Sequence, residues 1–191
     1  MNEAQLSADV CQSQAIEGMM MSVGSIEFRD HLRAATYVHS MANDGRWPPI
    51  LTVHGILMAS HSHAGQYRNS AVYLASRNST EKHVCPAARY VQTLMRAWEQ
   101  DAQTIIDHAD SLDDEREVAC LFQYYHLLTI HPFADGNGRT ARLMYNALRL
   151  IIGLPWHTFT VDVHDLYVAR VRAYESGFKL VNPHLYDPVP P

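Results

Sequence analysis

Several features are scarce in this chain of 191 residues, and each absence excludes a class of protein. The three cysteines, Cys11, Cys85 and Cys120, form no CxxC pair, so neither a disulfide framework nor a zinc site is predicted. The longest apolar runs, such as residues 150–154, are far shorter than the ~20 residues of a membrane span. The first residues lack the basic and apolar segments of a signal peptide. We therefore expect a soluble, cytoplasmic protein without a membrane partner.

Charge is also scarce, and its sign is unfavourable for binding nucleic acid. Charged residues make up 18% of the chain and the formal net charge is −5, so attraction to a polyanion is not expected. Hydrophobic residues make up 47%, which is ordinary for a folded protein. No repeat, low-complexity tract or linker divides the sequence. We predict a single domain over residues 1–191.

Apolar residues recur at helical spacing along most of the chain. The pattern predicts helices over 26–42, from Pro48 to about 58, after Pro86, over 112–130 and over 139–152. The helix over 112–130 is predicted to be the central core helix, because it carries an apolar stripe of Val118, Leu121, Phe122, Tyr125 and Leu128. Strand-like composition is confined to 70–84, and the proline-rich tail 182–191 is predicted to be extended. The expected fold class is all-α, mainly a helical bundle, with one small β-hairpin.

Residues 131–142 read HPFADGNGRTAR and contain the strongest chemical signal in the chain. A glycine-bracketed turn opens a new helix here, and the free backbone N–H groups of a helix N-terminus bind anions. Arg139 and Arg142 project from the same face of its first turn. The segment therefore predicts a polyphosphate site.

Two further polar residues give this segment a reaction. Asp135 suits a magnesium ion that is held by one carboxylate and by phosphate oxygens. His131, which ends the preceding helix because Pro132 follows it, can accept a proton from a hydroxyl near neutral pH. Together these groups predict transfer of a phosphorus group from a nucleotide to an alcohol.

The segment matches every defined position of HPFx(D/E)GNGRxxR and so resembles the signature of the Fic (Fido) family. Residues 56–58, 64–68 and 72–74 resemble the family's segment that leads into a docking hairpin called the flap. The resemblance implies the Fido fold and transfer of AMP from ATP to a Ser, Thr or Tyr hydroxyl of a target protein, with pyrophosphate leaving. It leaves self-modification and a homodimer open.

The resemblance also implies a role for each residue of the signature. His131 is then the general base, Asp135 holds Mg²⁺ and Phe133 is a buried anchor. The phosphates of ATP are held by Gly136, Asn137, Gly138, Arg139 and Arg142. The flap, residues 69–84, would pair with the backbone of the target by strand addition.

Residues 13–18 read SQAIEG and fit a second family pattern, (S/T)xxxE(G/N), found on helices that silence Fic enzymes. The pattern has only three constrained positions, but Glu17 is the only glutamate of this chain followed by Gly or Asn. The resemblance implies an inhibitory helix over 3–20 that carries Ser13 and Glu17. Glu17 would pair with Arg142 and remove it from the γ-phosphate of ATP.

Other functions stay open at this point. The same site could transfer a phosphoryl, phosphocholine or UMP group, although the intact GNGR loop is unfavourable for phosphorylation. It could also run the reverse reaction, with Glu17 directing a water onto an AMPylated target. A binding or antitoxin-like module without turnover is the non-enzymatic alternative.

Overall fold

Seven α-helices and two short strands form the described part of the structure, a computed structural model that describes residues 1–18, 24–75 and 82–187. The helices are α1 (Glu3–Ile16), α2 (Ile26–Asn43), α3 (Ile50–Leu57), α4 (Ala88–Asp107), α5 (Arg116–Ile130), α6 (Asn137–Ile151) and α7 (His164–Val181). The strands are β1 (Tyr73–Ala75) and β2 (Lys82–Val84). The predicted all-α fold class is confirmed.

The N-terminal helix α1 begins with a reciprocal cap and ends earlier than predicted. The Asn2 side chain accepts the Gln5 N–H while the Gln5 side chain accepts the Asn2 N–H. The helix ends at Ile16, Glu17 is its C-cap, and Gly18 adopts a left-handed φ of 73°. The helix therefore does not reach residue 20 as expected, and residues 19–23 lie outside the described part. The end of the helix leaves the partly exposed Glu17 side chain beside Arg142 of α6.

Helix α6, not α5, is the central helix of the domain. It packs against α1, α2, α3, α4 and α5, and every residue from Arg139 to Arg149 is buried. Two alanines on this helix, Ala141 and Ala147, are fully buried. The helix that carries the signature is thus surrounded by other helices, and its N-terminus is held firmly in place.

The predicted inward stripe of α5 is wrong in part. Val118 and Phe122 are 65% and 48% exposed, and the buried apolar face is formed instead by Cys120, Tyr124, Leu127 and Ile130. The helix is apolar around most of its circumference, so spacing alone does not show which side faces the core. Polar residues that sequence reasoning would place outside, such as Gln123, are buried on the inner face.

The helices that precede the signature agree well with the predicted ones. Helix α2 begins after Ser25, whose Oγ accepts the Phe28 N–H at 3.1 Å. Helix α3 follows Pro49, and its predicted core residues are all buried: Ile50, Val53, Leu57 and Met58. Helix α7, which packs against α5, was not predicted.

The two strands form an antiparallel pair in which Tyr73 lies opposite Val84. Residues 76–81 between them lie outside the described part, so the flap over 69–84 stays a prediction. The C-terminal tail is not extended throughout, because residues Pro183–Leu185 form a 3-10 turn. The Leu185 carbonyl accepts the Ala87 N–H at 2.7 Å, which attaches this turn to the start of α4. Across the described ranges, no helix is long and apolar enough to cross a bilayer.

Candidate active site

The signature connects the C-terminus of α5 to the N-terminus of α6. His131 is the C-cap of α5 and has left-handed backbone angles, φ 50° and ψ 61°. Gly136 is the N-cap of α6 and also has a left-handed φ, 76°. A Cβ at Gly136 would lie 2.9 Å from Sδ of Met58, so the turn needs a glycine for both conformation and space. These two turns bring His131 and the start of α6 to the same end of the bundle.

Asn137 braces the loop between the two helices. Its Oδ1 accepts the Phe133 N–H at 2.9 Å, and its Nδ2 donates to the Phe133 carbonyl at 2.9 Å. Both polar groups of the side chain are therefore used inside the loop, and only the backbone N–H of Asn137 is available to a phosphate. The ring of Phe133 is fully buried, as expected for an anchor.

His54 supports the same loop, although the sequence analysis assigned it no role. Its ring stacks on Phe133 with 3.7 Å between centroids. Its Nδ1 accepts the Gly65 N–H at 2.9 Å, and its Nε2 lies 3.1 Å from the Asp135 carbonyl. Because a carbonyl only accepts, Nε2 carries the proton and the ring is neutral. Burial lowers the pKa of His54 to about 4, in agreement with that state. The sequence signal that could have indicated this role is the position of a histidine on the apolar face of a predicted helix.

His131 is held in the tautomer that a general base needs. Its Nδ1 donates to the Leu128 carbonyl at 3.3 Å, which leaves the lone pair of Nε2 free to accept a proton. Burial lowers the pKa of His131 to about 4, and the charge of Arg68 acts in the same direction. The carboxylates of Glu17 and Asp135 oppose this shift. The ring is therefore neutral at physiological pH.

Arg139 presents an unsatisfied donor at the start of α6. Its side chain is 5% exposed, and its Nη2 lies 3.6 Å from Oδ2 of Asp135. Its Nε has no hydrogen-bond partner within the described ranges. A buried guanidinium N–H without an acceptor is costly, so the position suits an incoming anion.

The end of α1 binds Arg142 through three hydrogen bonds. Its Nε donates to Oγ of Ser13 at 2.8 Å, and its Nη2 donates to the Ser13 carbonyl at 2.9 Å. The same Nη2 lies 2.7 Å from Oε1 of Glu17. Glu17 therefore pairs with Arg142 as predicted, 125 residues apart in sequence. Ser13, which was predicted only as part of the inhibitory pattern, contacts Arg142 as well.

Glu17 occupies the anion position at the N-terminus of α6. A Cβ built on Gly138 would overlap the Glu17 carboxylate and would lie 3.2 Å from Nη1 of Arg142. The carboxylate therefore rests on the first turn of the helix, where the helix dipole and the free N–H groups stabilise negative charge. Gly138 is the residue that makes this close approach possible.

Asp135 has the exposure expected of a metal ligand but stands alone. Its side chain is 62% exposed, and its Oδ1 accepts the N–H of Gly136 at 2.6 Å. Among residues 1–18, 24–75 and 82–187, no cluster of three or more His, Cys, Asp or Glu could hold a metal by itself. A single carboxylate beside a phosphate site fits Mg²⁺, which is commonly bound by one or two carboxylates together with substrate phosphates.

Comparison with known proteins decides the family. Residues 49–148, which are 100 of the 191 residues, match the model of the Fic/DOC family. The chain belongs to the Fic/DOC family. The matched range includes α3, α4, α5 and most of α6, and therefore the whole signature of this Fic chain.

Curated relatives of this Fic chain are named protein adenylyltransferases. It is 34% identical to protein adenylyltransferase Fic of Nematostella vectensis over 122 residues, 62% of this chain and 26% of the relative. It is 35% identical over 91 residues to protein adenylyltransferase Fic of Drosophila persimilis, 48% of this chain and 16% of the relative. The chain thus spans about a quarter or less of the length of these relatives.

Solved structures share the fold of this Fic chain. A Fic domain containing signaling protein from Bacteroides thetaiotaomicron has a TM-score of 0.69 at 17% identity, and the match covers 90% of this chain and 72% of that one. Fic-1 from C. elegans has a TM-score of 0.64 at 21% identity and covers 93% of this chain and 57% of its own. At these identities the likeness concerns the fold alone.

Proposed function

We propose that this Fic chain transfers AMP from ATP to a Ser, Thr or Tyr hydroxyl of a protein, and that Glu17 keeps it inactive. The observation that carries the proposal is the 2.7 Å ion pair between Glu17 and Arg142 at the N-terminus of α6. An internal carboxylate that is stabilised there takes the place that a phosphate of the nucleotide needs. The names of the curated relatives support the type of reaction.

The chemistry follows from the groups around His131. The hydroxyl oxygen of the target attacks the α-phosphorus of ATP, and the bond from that phosphorus to the bridging oxygen of pyrophosphate breaks. The hydroxyl proton passes to Nε2 of His131, whose Nδ1 is already held by Leu128. Pyrophosphate leaves with the charge that Arg139, Arg142 and the N-terminus of α6 stabilise.

Asp135 is the residue that would hold Mg²⁺. The ion would neutralise charge on the phosphates, which makes the α-phosphorus easier to attack and pyrophosphate easier to release. Asp135 lies on the rim of the anion site, with one oxygen on the Gly136 N–H and the other facing Arg139. The carboxylate can therefore contact an ion that is also bound by phosphate oxygens.

Glu17 inhibits AMP transfer in two ways, by pairing with the charge of Arg142 and by occupying the phosphate position. Glu17 takes up Arg142, so ATP would bind without the contact that aligns its γ-phosphate. A charge-assisted hydrogen bond of this kind contributes roughly 1.5–3 kcal/mol, which corresponds to roughly a ten- to hundred-fold suppression of rate. Activation then requires only that the end of α1 leaves Arg142.

The remaining expectations belong to the same proposal. The flap over 69–84 would align the target by strand addition, and the paired backbones of Tyr73–Ala75 and Lys82–Val84 support that assignment. Self-modification and a homodimer are compatible with the proposal. A cytoplasmic location stays a prediction from cysteine usage.

Removal of AMP from a modified protein is the second candidate function. It is favoured by the Glu17 carboxylate, which is close enough to His131 to raise its pKa and which could orient a water. The Glu17→Gly variant separates the two candidates. It should gain transfer if Glu17 is a lock, and it should lose AMP removal if Glu17 directs the water.

The proposed reaction is tested by the mass of the adduct. We expect Glu17→Gly protein, incubated with ATP and Mg²⁺ and an acceptor, to add the mass of one adenylyl group per modified hydroxyl. The double variant Glu17→Gly/His131→Ala should add none, because the hydroxyl proton then has no acceptor. If the chain instead gains the mass of a phosphoryl, phosphocholine or uridylyl group when the matching donor is supplied, the transferred group is not AMP. No adduct with any donor would favour a binding module.

A further inference from the structure

Arg68 lies outside the signature, yet its side chain joins the catalytic histidine to both ends of the flap. The residue is 5% exposed and donates to four carbonyl oxygens. Nε donates to His131 at 2.7 Å and Nη1 to Ser70 at 2.9 Å. Nη2 donates to Pro86 at 2.5 Å and to Ile130 at 3.3 Å. Ser70 precedes β1 and Pro86 follows β2, so one guanidinium binds both stems of the flap and the end of α5.

The charge of Arg68 is balanced by backbone dipoles. Within the described ranges no carboxylate lies within ion-pair distance of its guanidinium. The carbonyls of Ile130 and His131 end helix α5, where the helix dipole is negative and a cation is stabilised. The backbone N–H of Arg68 also donates to the Pro132 carbonyl at 2.9 Å. The main chain and side chain of Arg68 therefore bind the carbonyls of three consecutive residues, 130–132, in the active-site turn.

The carbonyl that Arg68 binds belongs to a strained residue. A left-handed backbone such as that of His131 is unfavourable for any residue except glycine and persists only where surrounding contacts enforce it. The orientation of the imidazole depends on this backbone conformation. The Nε bond of Arg68 to the His131 carbonyl is the shortest side-chain contact that enforces it.

We propose that Arg68 is a positioning residue that fixes the ring of His131 relative to the strands that dock the target. This inference rests on the proposed AMP-transfer function. A target strand that is added to the flap presents its hydroxyl at a place set by the stems, and His131 must lie within hydrogen-bond reach of it. The planar guanidinium of Arg68, with its five N–H donors, contacts both the stems of the flap and the backbone of His131. Burial is the main reason why the pKa of His131 is lowered, and the charge of Arg68 acts in the same direction.

Arg68→Lys in the Glu17→Gly background is the first test. A lysine keeps the charge but cannot span three segments with one ammonium group. Arg116→Lys is the matched control, because Arg116 also joins two segments through carbonyls, Ala109 at 3.1 Å and Ile152 at 3.0 Å, far from His131. ATP affinity is measured by calorimetry, and AMP transfer at saturating ATP by the label placed on the chain itself or on proteins of a lysate.

We expect ATP affinity to stay within about twofold for both variants, because neither arginine contacts the phosphate site. Transfer at saturating ATP should fall between about ten- and a hundred-fold for Arg68→Lys and change little for Arg116→Lys. An equal fall in both, or none in either, overturns the proposal. If Arg68→Lys does not fold, Arg68→Gln replaces it, since this change removes the buried charge and keeps an amide NH2 group as a donor.

A second readout does not depend on turnover. We expect the titration midpoint of His131, followed by NMR of its ring, to rise in Arg68→Gln and to stay unchanged in Arg116→Gln. An unchanged midpoint in both variants contradicts the inference. If the Glu17→Gly parent transfers no AMP, the proposed function fails, while this titration still decides whether Arg68 acts on His131.

Discussion

At the scale of single residues, the site depends on proton positions as much as on charge. His131 and His54 each donate one ring N–H to a carbonyl, which orients the rings, and burial lowers the pKa of both to about 4, so both are neutral. His31, which is buried beside the two signature arginines, is also neutral, because burial and the charges of Arg142 and Arg139 lower its pKa to about 3. The arginines therefore carry the positive charge of the site without help from histidine.

The lowered pKa of His131 predicts the pH dependence of the reaction. A general base must be neutral, so the rate falls only as the pH drops through the folded-state pKa of about 4. Removing Glu17 takes away a carboxylate that raises this pKa, which moves the midpoint further down. We expect kcat/KM for the acceptor, measured with Glu17→Gly at saturating ATP, to show no histidine limb above about pH 5. An acid limb centred near 6.5 would contradict the assigned environment of His131.

Gly138 gives a second prediction at this scale. In Gly138→Ala the new methyl group would overlap the Glu17 carboxylate, so the end of α1 should leave Arg142. The same methyl group would also block the phosphate position, and we therefore expect no gain in AMP transfer. Hydrogen exchange of α1 amides should become faster in this variant.

Gly177→Ala is the control for that experiment, because a Cβ at Gly177 meets no atom within 4 Å. It should leave hydrogen exchange in α1 unchanged. Activation of Gly138→Ala to the level of Glu17→Gly would show that phosphate does not need the surface of Gly138. Unchanged exchange in α1 would show that Glu17 does not rest there.

At the scale of elements, helix α1 has two attachments to Arg142. Ser13 contributes its hydroxyl and its carbonyl, and Glu17 contributes its carboxylate. Asp9, one turn before Ser13, is buried on the same face of α1, where burial raises its pKa. Helix α1 therefore buries two polar side chains, Ser13 against Arg142 of α6 and Asp9 beside Trp156 and Thr158.

Ser13→Ala should release the helix only in part. The substitution removes the acceptor of the Arg142 Nε, while the carbonyl of residue 13 and Glu17 still hold Nη2. A neutral acceptor contributes about 1 kcal/mol, so AMP transfer should rise roughly five-fold, less than in Glu17→Gly. Ser7→Ala, six residues earlier on α1, is the matched control and should leave the rate unchanged. If Ser13→Ala raises AMP transfer as much as Glu17→Gly does, the inhibition depends on the serine rather than on the glutamate.

The sequence predicted the positions of the helices better than it predicted which side of each helix faces the core. Turn chemistry located the end of a helix, as Pro49 shows at the start of α3. The face of α5 was wrong because an apolar surface surrounds that helix, and Phe122 is half exposed. No local signal distinguishes a helix that is covered on every side, such as α6, from one that is covered on one side.

At the scale of the whole molecule, the signature could be predicted because its residues are adjacent in sequence. The pairing of Glu17 with Arg142 was also predicted, from a short pattern that gains meaning only beside the signature. His54 and Arg68 were missed as functional residues because they act on carbonyl oxygens, which every residue has and no sequence pattern marks. Residues 76–81 lie outside the described part, so the tip of the flap remains a prediction.

We propose above that the Glu17 carboxylate silences AMP transfer by this Fic chain. The most direct test compares AMP transfer from labelled ATP by the unmodified chain and by Glu17→Gly, at equal concentration and with Mg²⁺. We expect roughly ten- to a hundred-fold more transfer by Glu17→Gly, and loss of that gain when His131→Ala is added. Equal transfer by the unmodified chain and Glu17→Gly would contradict it.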